Sequence, residues 1–352
     1  MSGDTLNMLQ SERLPPYTEI LIEIFLFLCK LTWCCICELI TRISQLINPV
    51  YKDLSSDVVL ITGADSGIGR LMCSEFAKYS STIIAVGLNK SSLAETADIV
   101  YQETGIHIKT YVCDFRHKKQ IDELTESVLK EFGKVTILVN NAGVVNGDTV
   151  IDLTSSAIED CFKVNVLSHF YLIKAFLPTM LNKHHVTNPN SQSNSPINKY
   201  RHPRGHIVCV SSIAGYVPLA GGTDYCASKA ASNLLAESVE LELANLGIVD
   251  EICITRILPF LLNTNMFKGV TPKHPWLFPT VDASYCARRI VESVRLNERV
   301  VYITARYRIL PVLKLLLPTK VIHCLYEFSN TGEYINQLKA YRKKTDDAPN
   351  SQ

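Results

Sequence analysis

Tyr225 and Lys229 stand four residues apart at the start of "DYCASKAASNLLAESVELELANLG", which runs from Asp224 to Gly247. A phenol and an ammonium sharing one site can do proton-transfer chemistry, because a free phenol titrates near pH ~10 and a neighbouring cation favours its ionised form. Spacing alone does not require that use, since Tyr and Lys at i,i+4 also make ordinary cation–aromatic or packing contacts. A second group of residues points to phosphate. In "TGADSGIGR", Gly63, Gly67 and Gly69 follow an apolar run and open an amphipathic one. Glycines at such a bend let backbone amides approach a pyrophosphate, and the helix N-terminus adds partial positive charge. A tight strand-to-helix turn would need the same glycines for sterics alone.

The elements that must position these residues follow from periodicity. Between Ser55 and about Arg306, short apolar runs alternate with amphipathic segments: "VVLIT", "TIIAVG", "IKTYVC", "VTILVN", "HIVCVS", "EICITRI" and "VVYIT" read as strands. Helical segments include "RLMCSEFAKYS", "LAETADIVYQET", "KQIDELTESVLKEF", the stretch around "AIEDCFKVNVLSHFYLIKAFLPTML" and the Tyr225 helix. The fold class is therefore α/β, one doubly wound parallel sheet of seven strands in a single domain over residues 55–306. The hydrophilic stretch "NKHHVTNPNSQSNSPINKYRHPRG" reads as a mobile surface insertion.

Composition limits the partners. The chain has 352 residues, 47% hydrophobic and 20% charged, with a formal net charge of +1 and no basic cluster interleaved with aromatics, so nucleic acid is not expected. Of the twelve cysteines, Cys34, Cys35 and Cys37 fall in an apolar run and Cys113, Cys209 and Cys253 in expected strands, which suits reduced thiols better than a disulfide framework. No metal is expected. Cys34 and Cys37 lack a second ligand pair, and His184, His185 and His202 have no carboxylate or cysteine beside them.

Both ends favour a membrane. From Ile20 to Ile40 the chain reads "ILIEIFLFLCKLTWCCICELI", with Glu19, Glu23, Lys30 and Glu38 on roughly a third of the helix circumference and Phe25 and Trp33 on the wide apolar remainder. Such a segment, within residues 1–54, can lie in an interface or span with its charges snorkelling; Arg42 and Lys52 favour a cytosolic catalytic domain. A second apolar stretch, "ILPVLKLLLPTKVIHCLYEF", holds two prolines and reads as a broken surface helix within residues 307–340, docking on a bilayer or covering a substrate entrance. Residues 341–352 read as a polar tail.

The ordered series "TGADSGIG", Asp114, "NNAG" at Asn140–Gly143, Asn165, "SS" at Ser211–Ser212 and "YCASK" resembles a short-chain dehydrogenase/reductase. The apolar N-terminus and "LPFLLNTNMF" are similar to the membrane-bound branch that includes retinol dehydrogenases and the 17-beta-hydroxysteroid dehydrogenases of lipid droplets. The resemblance implies an NAD(P)-dependent oxidoreductase. Tyr225 would be the acid/base, Lys229 its partner, Ser212 would hold the substrate oxygen and Asn165 a water linking the lysine to solvent. Cofactor contacts implied are Gly63, Ser66, Gly67, Ile68, Gly69, Asn89, Lys90, Asp114 at the adenine, Asn141, Ala142, Gly143, Tyr225, Lys229, Pro259, Leu262, and Thr264 at the nicotinamide amide. It also implies a homo-oligomer and a reticulum membrane or lipid-droplet location.

Two departures stand out. Gly87 occupies the place where NAD-using relatives carry a ribose-binding acid, and Lys90 follows; both favour NADP over NAD, while Asp65 would favour NAD if it turned toward the ribose. Phe260 follows Pro259 where many relatives have glycine, and could wall the pocket. "GVTPKHPWLFPT" and "GYVPLAGG" are apolar, so a retinoid, steroid or similar lipid alcohol is a better substrate than a sugar. A catalytically quiet membrane scaffold that keeps nucleotide binding is the alternative.

Overall fold

The computed structural model describes residues 16–181 and 203–346. The insertion from Asn182 to His202, with the three histidines weighed above, lies outside the described residues. The chain divides into two units, Met1–Tyr51 and Lys52–Gln352. The first holds one helix, α1 (Pro16–Ile47), whose segment Tyr17–Thr41 is 25 residues long and apolar enough to cross a membrane by length and composition. At about 1.5 Å per residue it exceeds a hydrocarbon core of about 30 Å.

The second unit is built on seven strands: β1 (Val58–Thr62), β2 (Thr82–Gly87), β3 (Lys109–Val112), β4 (Ile137–Asn140), β5 (Gly205–Val210), β6 (Ile252–Leu258) and β7 (Val300–Tyr302). Their order is β3-β2-β1-β4-β5-β6-β7, every pair parallel, as expected from the alternating pattern. Strand residues alternate between two cores because side chains alternate across a sheet. Leu60, Ile84, Leu138 and Ile207 meet α4 (Lys118–Phe132), α6 (Ser168–Met180) and α7 (Thr223–Asn245) on one face. Val59, Ile61, Ile83, Val139 and Val208 meet α2 (Gly67–Ala77), α3 (Lys90–Thr104) and α8 (Ala283–Arg295) on the other. Burial on both faces is why the strands read as continuous apolar runs.

Between α5 (Ser155–Phe162) and α6, residues Lys163–Leu167 form a π-helical turn. The C-terminal apolar stretch breaks at Pro318, as its prolines predict, into α9 (Ile309–Leu316) and α10 (Thr319–Ser329). The polar tail begins later than expected. A helix, α11 (Glu333–Asp346), continues past residue 341, because Tyr334, Ile335 and Leu338 bury one face of it against the domain and so carry its polar end.

Candidate active site

Strand order reverses between β1 and β4, and a crevice opens there at the C-terminal ends of the strands, the usual position for a ligand in an open parallel sheet. Gly63 and Gly67 have φ of +65° and +54°, so the loop needs residues without a Cβ. Gly69 has no room for one. A Cβ there would stand 2.0 Å from the Gly63 carbonyl oxygen. Asn141 fixes this turn: its Nδ2 donates to the Thr62 carbonyl at 2.8 Å, while the amides of Asn141 and Ala142 donate to the Thr62 hydroxyl, each at 2.9 Å. The Ser66 side chain makes no capping bond at the start of α2, so that turn is open to an anion in the crevice.

Gly63, Ser66, Gly67, Ile68, Gly69, Asp114, Asn141, Ala142, Gly143, Ser212, Tyr225, Lys229, Pro259, Leu262 and Thr264 all line this crevice. Asn89 and Lys90 do not; Asn89 instead caps α3, accepting from the Ser92 amide at 3.0 Å. Asp114 is committed to Arg116, whose guanidinium grips it at 2.9 and 2.6 Å and holds its carboxyl below the ordinary range. Asp65 turns toward β2. Its Oδ2 accepts the amides of Leu88 at 2.9 Å and Asn89 at 3.0 Å. A long, glycine-floored slot with an open helix N-terminus fits a dinucleotide.

At the other end of the crevice Tyr225 and Lys229 are buried on one face of α7. Lys229 Nζ donates to the Val210 carbonyl at 2.9 Å and lies 5.8 Å from the centre of the Tyr225 ring. Burial raises the Tyr225 phenol above its ordinary value, only partly opposed by a hydrogen bond from Ser212, and burial lowers Lys229 to about 8. Desolvation penalises both charged forms and is the largest cause of each shift.

Asn165 sits in the π-helical turn with its side chain fully used: Oδ1 accepts the Val144 amide at 2.8 Å, and Nδ2 donates to the Val144 carbonyl at 3.0 Å and to Ser228 Oγ at 2.9 Å. It clamps the loop after β4 to α7. Gly143 lies between the two polar groups; a Cβ there would meet Lys229 Nζ at 3.2 Å and Asn165 Oδ1 at 3.4 Å. Ser212, after the end of β5, accepts the Ala214 amide at 3.1 Å and donates to the Pro259 carbonyl at 3.4 Å, with its hydroxyl near enough to the Tyr225 phenol to favour the ionised form. Ser211 points elsewhere, donating to the Lys229 carbonyl at 2.8 Å.

Beside these hydroxyls an apolar pocket opens, lined by Val217, Leu219, Phe260, Phe267, Leu310, Leu313, Ile322, Leu325, Tyr334 and Ile335 among others. Phe260 walls it as expected, packed against Phe278 and Tyr307 at centroid distances of 5.8 and 4.7 Å. Of the apolar segment "GVTPKHPWLFPT", Phe278 reaches the pocket while Trp276 is 69% exposed. Sequence reasoning did not find the bond between Asn165 and Ser228, although Ser228 lies within "YCASK", or the helix α11, because no local motif marks a long-range contact.

Comparison with known proteins bears on the same region. The short chain dehydrogenase profile matches residues 57–275. The chain is 35% identical over 285 residues to short-chain dehydrogenase/reductase family 16C member 6 of Bos taurus, covering 81% of this chain and 84% of that one. It is 31% identical over 304 residues to epidermal retinol dehydrogenase 2 of Mus musculus, covering 86% and 91%. Among solved structures, a short chain dehydrogenase/reductase from Burkholderia phymatum in complex with NAD shares the fold at a TM-score of 0.62 and 22% identity, over 75% of this chain and 94% of that chain.

Proposed function

The chain belongs to the short chain dehydrogenase family, and we propose that it interconverts a lipophilic alcohol, of the retinoid or steroid kind, and its carbonyl compound, using a nicotinamide dinucleotide. One observation carries this reading. Ser212 and Tyr225 line both the glycine-floored crevice and the apolar pocket, so a dinucleotide in one and an apolar substrate in the other would meet at those two hydroxyls.

The nicotinamide supplies the hydride donor or acceptor when bound. The chain supplies the proton and the orientation. In the reducing direction the protonated Tyr225 phenol, which burial maintains, donates to the carbonyl oxygen, and Ser212 donates to that oxygen as negative charge develops. In the oxidising direction Tyr225 takes the proton from the alcohol, and Lys229, cationic below about pH 8, stabilises the phenolate that forms. Asn165, bonded to Ser228, holds the loop that places Gly143 between Asn165 and Lys229.

The surroundings support a lipid substrate and a membrane setting. The α1 helix is long and apolar enough for a bilayer. The outer face of α9 exposes Leu315 and Leu316 at 85% and 72%, and residues 305–326 carry Arg306, Arg308, Lys314 and Lys320 with no acid, which suits an anionic lipid surface of reticulum or droplet. Phe170 on α6 and Leu234 and Leu241 on α7 are exposed and support pairing with a second copy.

The test is nucleotide-coupled turnover by the full chain in lipid vesicles, offered retinol, retinal, estradiol, estrone and a hexose. Turnover of a lipophilic pair and not the hexose is expected. Bound nucleotide with silence across the lipophilic panel would instead favour the scaffold reading.

A further inference from the structure

The crevice contains a carboxylate whose place is informative. Asp65 belongs to the glycine loop, yet its side chain lies across the end of β2: a Cβ added to Gly87 would stand 2.6 Å from Asp65 Cγ and 2.9 Å from Oδ2. One position therefore excludes the other. An acid at the end of β2 and the acid at Asp65 would compete for the same space, and the chain resolves this by keeping Gly87 bare. In open α/β sheets, a carboxylate about 20 residues beyond the first glycines hydrogen-bonds the adenosine ribose, and a cation in that region takes a 2′-phosphate instead.

Resting on the dinucleotide reading, we propose that Asp65 supplies from the glycine loop the carboxylate that accepts a free ribose 2′-hydroxyl and rejects a 2′-phosphate, making the chain selective for NAD over NADP. The charges around it agree. The two amides of Leu88 and Asn89 pin Oδ2, leaving Oδ1 outside those bonds, and Asp65, Gly87 and Leu88 together line the crevice. Arg70, a cation that could favour a phosphate, is turned away: it donates to Glu95 at 2.7 Å, to the carbonyls of Asp65 and Ser92 at 2.9 and 3.3 Å, and to Thr96 at 3.1 Å. Arg116 is held by Asp114. The start of α3, which could receive a phosphate, is capped by Asn89 and faced by Asp65. Lys90, the residue that favoured NADP in the sequence, lies outside the crevice lining.

Direct binding of NADH and NADPH to the detergent-solubilised full chain, read by calorimetry, tests the proposal. The natural protein should hold NADH at least about tenfold tighter, a difference of about 1.4 kcal/mol. Asp65→Asn, which keeps an acceptor for the two amides, should narrow that ratio about tenfold, mainly through tighter NADPH binding, while Lys90→Ala should leave it unchanged. Competition by adenosine monophosphate against its 2′-phosphorylated form measures the same preference in the natural protein, without any variant. Equal or tighter NADPH binding by the natural protein overturns the proposal, as does an Asp65→Asn variant that weakens both nucleotides alike. Binding of neither nucleotide would instead sink the dinucleotide reading on which the proposal rests.

Discussion

Lys229 Nζ stands 5.8 Å from the centre of the Tyr225 ring, one helical turn away, with both side chains buried and the ammonium bonded to the Val210 carbonyl. Each group is in an environment that disfavours its charged form. On the function proposed above, the pair would pass a proton when a substrate oxygen arrives.

Tyr225→Phe removes the proton donor and leaves the packing of the ring against Phe267. Turnover should fall by about 10²- to 10⁴-fold, with nucleotide affinity and the melting temperature close to those of the natural protein. Ser212→Ala should lower turnover as well, with the same retained binding. A parallel loss of nucleotide affinity in Tyr225→Phe would assign the residue to folding of the crevice.

Lys229→Met should lose activity and gain stability. With its pKa lowered to about 8, Lys229 binds less proton than in the unfolded chain between pH 8 and 10.5, so the natural protein gains stability as pH rises through that window. Methionine removes that dependence, up to about 1.4 kcal/mol per pH unit, and near neutral pH the variant should be more stable by about 1–3 kcal/mol after allowing for the lost bond to Val210. Denaturant unfolding at several pH values measures both effects; a slope unchanged by the substitution would contradict the assignment.

Gly69→Ala places a methyl 2.0 Å from the Gly63 carbonyl oxygen, and backbone must shift to admit it. A cost of about 1–3 kcal/mol and at least a tenfold drop in nucleotide affinity are expected. Gly332→Ala, with nothing within 4 Å of the added methyl, should change neither, and the two variants compared by calorimetry separate crowding from the loss of any glycine.

The outer face of α9 should meet lipid. The chain has two tryptophans, so Trp33→Phe leaves Trp276, 69% exposed, as sole reporter. Brominated lipid should quench its fluorescence in vesicles, and adding Leu315→Asp and Leu316→Asp should relieve most of that quenching. Full emission in the singly substituted protein would remove the docking face.

The seven strands were legible because each is a short apolar run buried on both faces, and burial of that kind leaves a signature within five or six neighbours. The glycine loop, Ser212, Tyr225 and Lys229 were legible for a similar reason: each belongs to a local motif. What the sequence hid is long-range. Asp65 reaches Leu88 across 23 positions, Asn165 meets Ser228 across 63, and no periodicity links such pairs. Spacing also reports the cation beside Tyr225 but is silent on the loss of water around both groups.

The last helix bears on how the protein can be dissected. Arg342 on α11 donates to the carbonyls of Asn146 at 2.6 Å and Val145 at 3.2 Å, and Lys339 pairs with Asp148 at 2.6 Å, so the far end of the chain grips the loop that Asn165 holds from the other side. Trimming the chain after Ser329 to improve solubility would release that loop along with the apolar helices. An inactive truncation would then report a slackened reaction centre, and would be mistaken for proof that a bilayer is needed for turnover.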